Sequence, residues 1–331
     1  MPCKLSRRRF IRISAAAAGL ALVPLAEAAS ATANLFTWRG TMLGAIATMQ
    51  IRHEDRREAE RLITAACVEA HRLERLFSLY IDDSALVELN RTGILVDPDA
   101  ELVDLLTISQ RYAELTHGLF DPTVQPLWHL YMDHFSQSTA DPKGPPREAV
   151  EAALASVGYH RLIVSHNRIV MPHGMAVTLN GIAQGYVTDK IVELLRAQGI
   201  AQSLVDMGEI CAIGSRPDGQ PWEVGIADPE VVGRTATILP ITDRAVSTSG
   251  AYGFQFDPGG HFNHLFNPLT GGCAVRYRSV TTVSDNATAA DTLSTAFSLM
   301  DEAQIKMLLS QAGIERVHLI DAKGRTLELI A

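Results

Sequence analysis

The sequence predicts an α+β fold: one compact domain with a largely antiparallel sheet and flanking helices. Three observations predict it. Strand-like segments cluster in meanders joined by short polar turns, helical periodicities come in separate groups, and no regular strand–helix–strand alternation runs through the chain. Of the 331 residues 47% are apolar and 20% charged, enough for a real core and unlike a disordered or coiled-coil chain. Neither a repeat nor a strong linker divides residues 32–331, so they read as one unit.

The elements follow in order. Residues 43–51 read as a strand opened by a glycine-containing turn at Gly40. From 55 to 77 the apolar residues Ala59, Leu62, Ile63, Ala66, Ala70, Leu73 and Phe77 recur at three and four, which defines an amphipathic helix. Residues 78–90 read as an extended piece, a polar turn and one helical turn. Pro98 and Asp99 open a helix ending near Gly118. Two prolines, Pro122 and Pro126, argue against regular helix over 120–128, and 134–146 is a polar, Pro/Gly-rich loop. A short helix at 147–157 and a hairpin at 161–171, turning at His166-Asn167, come next. The stretch 178–186 leads into a helix stopped by Gly199. Segments 203–214 and 222–227 read as two neighbouring strands, with further short strands at 235–240, 245–248 and 262–266. A strand at 279–283, helices at 286–300 and 303–312, and a hairpin turning at 322–324 close the chain.

Residues 1–31 stand apart. Ser6-Arg7-Arg8-Arg9-Phe10-Ile11-Arg12 and the Ala- and Leu-rich run to Leu25 resemble a twin-arginine export signal, with cleavage expected between Ala29 and Thr32. The apolar run is short and broken by Gly19 and Pro24, which disfavours a membrane anchor. Cleavage would remove five basic residues and one acid from a chain of formal charge −8, leaving it four charges more acidic. Such a chain lacks the cationic surface that nucleic-acid binding requires. Cys67, Cys211 and Cys273 remain, with no CxxC pair, so neither a zinc site nor a thioredoxin-like motif is indicated.

The stretch 286–300 carries the first chemical signal. Asp291 and Thr295 lie four apart on one helix face near its start, an arrangement that suits a cation holding a phosphate. Taken alone, the same pair equally describes an acid offsetting the helix dipole and a hydroxyl bonded to a carbonyl. Gly181-Ile182-Ala183-Gln184-Gly185 can bring backbone amides to a phosphate, but it has neither the ending of a P-loop nor the spacing of a dinucleotide fingerprint. Ser247-Thr248-Ser249-Gly250 is not a nucleophile elbow, and no HExxH or dense ligand cluster occurs.

Order gives these pieces weight. Leu43-Gly44-Ala45, Ser78-Leu79-Tyr80 with Asp83-Ser84 and Leu89-Asn90, the run 118–124, the run 179–189, Asp206 to Ile210, Ser247-Thr248-Ser249-Gly250, 264–271 and 290–295 together resemble the ApbE family of FAD:protein FMN transferases, including its NosX-like branch. The resemblance covers nearly all of residues 32–331. It implies Mg²⁺ held by the Asp291 and Thr295 side chains and the Gly181 carbonyl, and FAD lined by Leu43, Ser78, Asp121, Gln184, Ser249, Gly250 and Phe266. It implies transfer of FMN to a Thr or Ser hydroxyl of an acceptor protein with release of AMP, and a periplasmic, membrane-bound redox subunit, NosR-like, as acceptor. His264 is the first candidate for the base that takes the hydroxyl proton, and Asp291 the second. Gln184 stands where the family has Lys or Glu, Asn267 and Thr178 where it has Asp, and Ala251 where an Asp follows Ser-Gly. Two alternatives stand beside this: an FAD pyrophosphatase yielding FMN and AMP, an activity that some relatives resemble, and a non-catalytic FAD-binding or delivery protein, which Gln184 and Asn267 motivate.

Overall fold

The computed structural model describes the backbone of Leu20–Leu22 and residues 35–331 apart from Val232. The export signal expected over 1–31 otherwise lies outside the described residues. Strands β1 (Leu20–Leu22), β2 (Leu35–Met42) and β3 (Ala45–Arg52) precede helices α1 (Arg56–Phe77) and α2 (Ala85–Thr92). Then come β4 (Ile94–Val96), α3 (Ala100–Leu115), α4 (Gln125–Phe135), α5 (Arg147–Leu154), β5 (Ile163–Ser165), β6 (Arg168–Val170) and α6 (Ala183–Ala197). The C-terminal half is β7 (Ser203–Asp206), β8 (Ile210–Ile213), β9 (Trp222–Ala227), β10 (Thr235–Ile241), β11 (Ala245–Gly250), β12 (Tyr277–Ser284), α7 (Ala287–Phe297), α8 (Glu302–Leu308), β13 (Ile314–Asp321) and β14 (Thr326–Ile330).

Eight strands form one sheet in the order β14-β13-β12-β11-β8-β7-β3-β2, and every pairing in it is antiparallel. The expected α+β class with an antiparallel sheet therefore holds. Side chains alternate between its faces, as strand geometry requires. Val205 and Cys211 join the main core, which takes in Leu62, Leu73 and Phe77 of α1, Ile191 and Leu195 of α6 and Leu293 and Phe297 of α7. Leu204, Ile210 and Ala212 point the other way, into a second core with Trp222, Val224 and Leu239. The small sheet β1-β9-β10 supplies that cover, so the large sheet lies between helices and a second sheet. No helix among the described residues is long and apolar enough to cross a membrane.

Several elements differ from expectation. The turn before β3 is Leu43-Gly44, both at positive φ, and Gly40 lies inside β2. Segment 203–214 is a hairpin, not one strand; Gly208 at φ +112 reverses the chain between β7 and β8. Its neighbour is not β9, which belongs to the other sheet. Helix α4 spans the region that Pro126 was expected to break, because the proline occupies the first turn, where its missing N–H costs nothing. Residues 262–266 form no strand, since the chain there folds on itself through isolated bridges Gln255↔Asn263 and Phe266↔Cys273. Helix α2 runs two turns rather than one, capped by Ser84 and by Gly93 in the left-handed region, and the short β4 was not anticipated.

Candidate active site

The site is built at the junction of α6, α7, the β7–β8 turn and the end of β11. Glycine sets how closely the two helices pack. A Cβ on Gly185 would stand 2.3 Å from the Ala287 carbonyl oxygen and 2.8 Å from Asp291 Cβ, so only glycine permits this contact. The Gly185 N–H donates to Asp291 Oδ2 at 3.0 Å, which fixes the carboxylate and leaves Oδ1 for a ligand. Thr295, one turn on, lies 3.3 Å from Ser249 Oγ, and Gly181 abuts it: a Cβ there would be 3.2 Å from Thr295 Oγ1.

The N-terminus of α7 is occupied by the protein itself. Asn286 caps Ala289 N–H at 2.8 Å, while Asp189 of α6 accepts from Ala287 N, Thr288 N and Thr288 Oγ1 at 2.7, 2.8 and 2.5 Å. The helix end thus offers no free amides to a phosphate, contrary to the reading of this stretch as a helix-terminus anion site. What faces the cleft is the oxygen pair one turn further in.

These residues floor a cleft of ≈ 960 Å³ with the open solvent at its mouth included. Of the expected residues, Asp121, Gly181, Gln184, Ser249, Gly250, His264, Phe266, Asp291 and Thr295 all line it. Leu43 and Ser78 do not. Leu43 sits in the β2–β3 turn against the main core, and Ser78 caps α1, its Oγ accepting from Tyr80 N and its carbonyl from the Ser84 hydroxyl. The 78–84 loop approaches the cleft through Tyr80 instead, whose hydroxyl is 3.3 Å from Nδ2 of the lining residue Asn180.

One wall is aromatic. Trp128 and Phe266 line the cleft and belong to a cluster with Tyr131, Phe254 and Phe256, where Tyr131–Phe266 and Phe254–Phe256 ring centroids are 5.0 Å apart. Asp121 is committed to architecture: it accepts from Thr123 N, Thr123 Oγ1 and Tyr159 N, holding the 118–124 loop in place. His264 packs against Gly253 and has Nδ1 3.3 Å from the Phe254 carbonyl. A carbonyl only accepts, so Nδ1 carries the proton and Nε2 keeps its lone pair. Burial lowers the imidazole to about 4, so it is neutral at neutral pH. Asn267 plays no part in orienting it; its Oδ1 accepts from Leu269 N and Thr270 N in a turn, a task that an Asp there would perform equally.

The floor gathers acidic side chains with no cation beside them among the described residues, and burial favours their neutral forms. Burial raises Asp291 to about 7, with the charge of Asp189 adding to it and the Gly185 bond opposing it. Burial lifts Asp206 to about 6, and lifts Glu209, which also meets the charge of Asp291, well above the usual carboxylate range. Glu209 Oε2 is buried without a hydrogen-bond partner. No Lys or Arg is among the described residues lining the cleft. Glu209 lies in the segment Asp206 to Ile210, where the sequence alone assigns it no role; an acid right after a glycine reversal between two apolar runs is its signal. The aromatic wall was invisible for another reason, since Trp128 and Phe254 are far apart in sequence.

Fold and site together define a one-domain α+β protein with an aromatic-walled, carboxylate-floored cleft for a small molecule. The ApbE family profile matches residues 43–318. An FAD:protein FMN transferase of Klebsiella pneumoniae (strain 342) is 27% identical over 320 residues, 92% of this chain and 88% of that protein. One of Treponema pallidum (strain Nichols) is 31% identical over 273 residues, 76% and 74% of the two chains. The crystal structure of the ApbE protein from Thermotoga maritima superposes with a TM-score of 0.77 at 27% identity, covering 88% of this chain and 96% of that one. The flavin transferase ApbE from Vibrio cholerae gives 0.74 at 25%, covering 90% and 97%. The chain belongs to the ApbE family.

Proposed function

We propose that this chain is an FAD:protein FMN transferase that uses Mg²⁺ and the cleft floored by Asp291. The observation that carries the reading is the charge balance. A site for the pyrophosphate of FAD needs positive charge, yet the described lining has three carboxylates and no Lys or Arg. The donor set fits a hard cation: the Asp291 carboxylate, the Thr295 hydroxyl and the adjoining Gly181 backbone supply oxygen, and the unpartnered Glu209 oxygen marks a counter-charge deficit beside them. Among the described residues no three His, Cys, Asp or Glu converge as a metal cluster, so such an ion would rest on this mixed set. When bound, Mg²⁺ neutralises the pyrophosphate and makes AMP a better leaving group.

The chain's own residues do the rest. The wall of Trp128, Leu265 and Phe266 takes the flavin ring, and Gln184 and Asn180 offer neutral hydrogen bonds. The acceptor's Thr or Ser oxygen attacks the phosphorus on the FMN side. The bond from that phosphorus to the bridging oxygen breaks, AMP departs with that oxygen, and the hydroxyl proton passes to His264 Nε2. A neutral imidazole is ready for this role without prior deprotonation. Asp291 is the weaker base, since a carboxylate engaged with a cation gives up basicity.

Residues 6–25 support export through the twin-arginine route, so the reading sets the enzyme in the periplasm with a membrane-bound redox subunit, NosR-like, as acceptor. The test is incubation with FAD, Mg²⁺ and a candidate acceptor, with mass spectrometry of the acceptor and assay of AMP. An FMN-sized mass gain with equimolar AMP is expected. AMP released steadily with no acceptor present would make the protein an FAD pyrophosphatase, and intact FAD after long incubation would make it a carrier.

A further inference from the structure

We propose that Glu209 is a second carboxylate of the cation centre, facing the ion from the β7–β8 turn while Asp291 and Thr295 face it from α7. The proposal rests on the reading of the cleft as a cation site, to which the resemblance assigns Asp291, Thr295 and Gly181 only.

Four observations carry it. Glu209 is 2% exposed, lines the same cleft as Asp291, Thr295 and Gly181, and keeps Oε2 without a partner. A buried carboxylate oxygen with no donor costs stability unless a ligand offsets it. The backbone around it is built to hold that position. Gly208, at φ +112, makes the reversal, its N–H bonds Asp206 Oδ1 at 3.0 Å, and the Glu209 carbonyl accepts from Thr188 Oγ1 of α6 at 3.0 Å. A Cβ at 208 would meet the Gln184 side chain, Nε2 at 2.4 Å, so the turn packs directly against that lining residue.

A row of hydroxyls links the two sides. Ser247, which bonds the Glu209 carboxyl, lies 3.3 Å from Ser294 Oγ; Ser294 is 2.7 Å from Ser249 Oγ, and Ser249 is 3.3 Å from Thr295 Oγ1. Ser294 also donates to the Asp291 carbonyl at 2.9 Å. Glu209 and the α7 ligands are therefore parts of one polar network enclosed in apolar surroundings. With Gln184 neutral, no Lys or Arg among the described residues lining the cleft offsets these acids, and a divalent cation is the group whose charge suits two carboxylates at once.

The experiment titrates Mn²⁺ into the metal-free full chain by calorimetry, for wild type, Glu209→Gln and Glu209→Asp, with Asp291→Asn as the positive control. Glu209→Gln keeps size and hydrogen bonding but removes the charge. It should weaken Mn²⁺ binding about tenfold or more, as loss of outer partners does in metal sites, while the metal-free Tm stays equal or rises. Glu209→Asp should fall between the two. Mn²⁺ affinity of Glu209→Gln within twofold of wild type overturns the proposal, as does a wild-type protein that binds no Mn²⁺. Should Glu209→Gln fail to fold, Glu209→Asp decides by the same criterion. FMN transfer is not the readout, so a wild type that binds Mn²⁺ yet modifies no acceptor refutes the transferase reading and leaves the Glu209 assignment standing.

Discussion

At the scale of single residues, Asp291 and His264 share the cleft and respond to burial in opposite ways. Burial disfavours whichever form carries charge, so it raises the acid and lowers the base. Asp291→Ala removes the one carboxylate that α7 offers the cleft, but leaves the aromatic wall intact. It should abolish Mg²⁺-dependent turnover, at least 10²-fold in kcat, while FAD binding followed by flavin fluorescence changes severalfold at most. Turnover near the wild-type rate would refute the cation assignment. His264 gives a stability signature. Its native value is about 4 against an ordinary 6.5, so between those values the unfolded chain binds the proton and the native state does not. The contribution of His264 to native stability therefore falls as pH drops from about 6.5 to about 4, by on the order of 3 kcal/mol, and is constant below, while Asp291 and Asp206, raised to about 7 and about 6, contribute in the opposite sense. Denaturant melts of wild type and His264→Gln over pH 4–7 check this: the variant should lose that part of the slope.

At the scale of elements, the α6–α7 pair carries the site, and two residues determine how it is set. Gly185 allows the close approach and Asp189 fastens the start of α7 with three bonds. Gly185→Ala forces a Cβ onto the Ala287 carbonyl, which backbone cannot yield cheaply. It should cost about 1–3 kcal/mol and push Asp291 from Gly185 N–H, weakening Mn²⁺ binding together with Tm. Asp189→Ala leaves two helix N–H groups without that acceptor and should cost about 1–2 kcal/mol. Calorimetry of Mn²⁺ binding beside thermal melts checks both, and a Gly185→Ala protein with unchanged Tm would show that the helices are free to separate. This pair also shows what was legible. The i, i+4 spacing of Asp291 and Thr295 and the glycines of 181–185 are local patterns, readable along the chain. That Asp189 fills the end of α7 depends on residues about a hundred positions apart meeting, which no local pattern records. Likewise the reversal at Gly208 sits in a short break, Asp206 to Glu209, between two apolar runs that read together as one strand, and Pro126 read as a helix breaker because its place in the first turn was unknown. Leu43 and Ser78 stand at positions that the resemblance gives to FAD, yet they serve a turn and a helix cap away from the cleft lining.

At the scale of the whole molecule, the sheet lies between helices on one face and the β1-β9-β10 sheet on the other, and the cleft opens on the helical side. Described strand β1 falls within the expected export signal and pairs with β9 in the register Leu20↔Ile226, Ala21↔Gly225, Leu22↔Val224. Cleavage between Ala29 and Thr32 would remove β1 but none of the second core's buried residues, which come from β7 to β12. None of the cleft residues would be lost either. Three backbone pairings at a sheet edge are a small part of a domain this size. The chain starting at residue 32 should therefore fold, keep a Tm within a few degrees of the full chain, and bind FAD and Mn²⁺ with unchanged affinity. Parallel melts and titrations of the two forms check this. A truncated chain that melts far below the full one, or loses Mn²⁺ binding with it, would show that residues 1–31 belong to the folded domain and would count against their reading as a removable signal.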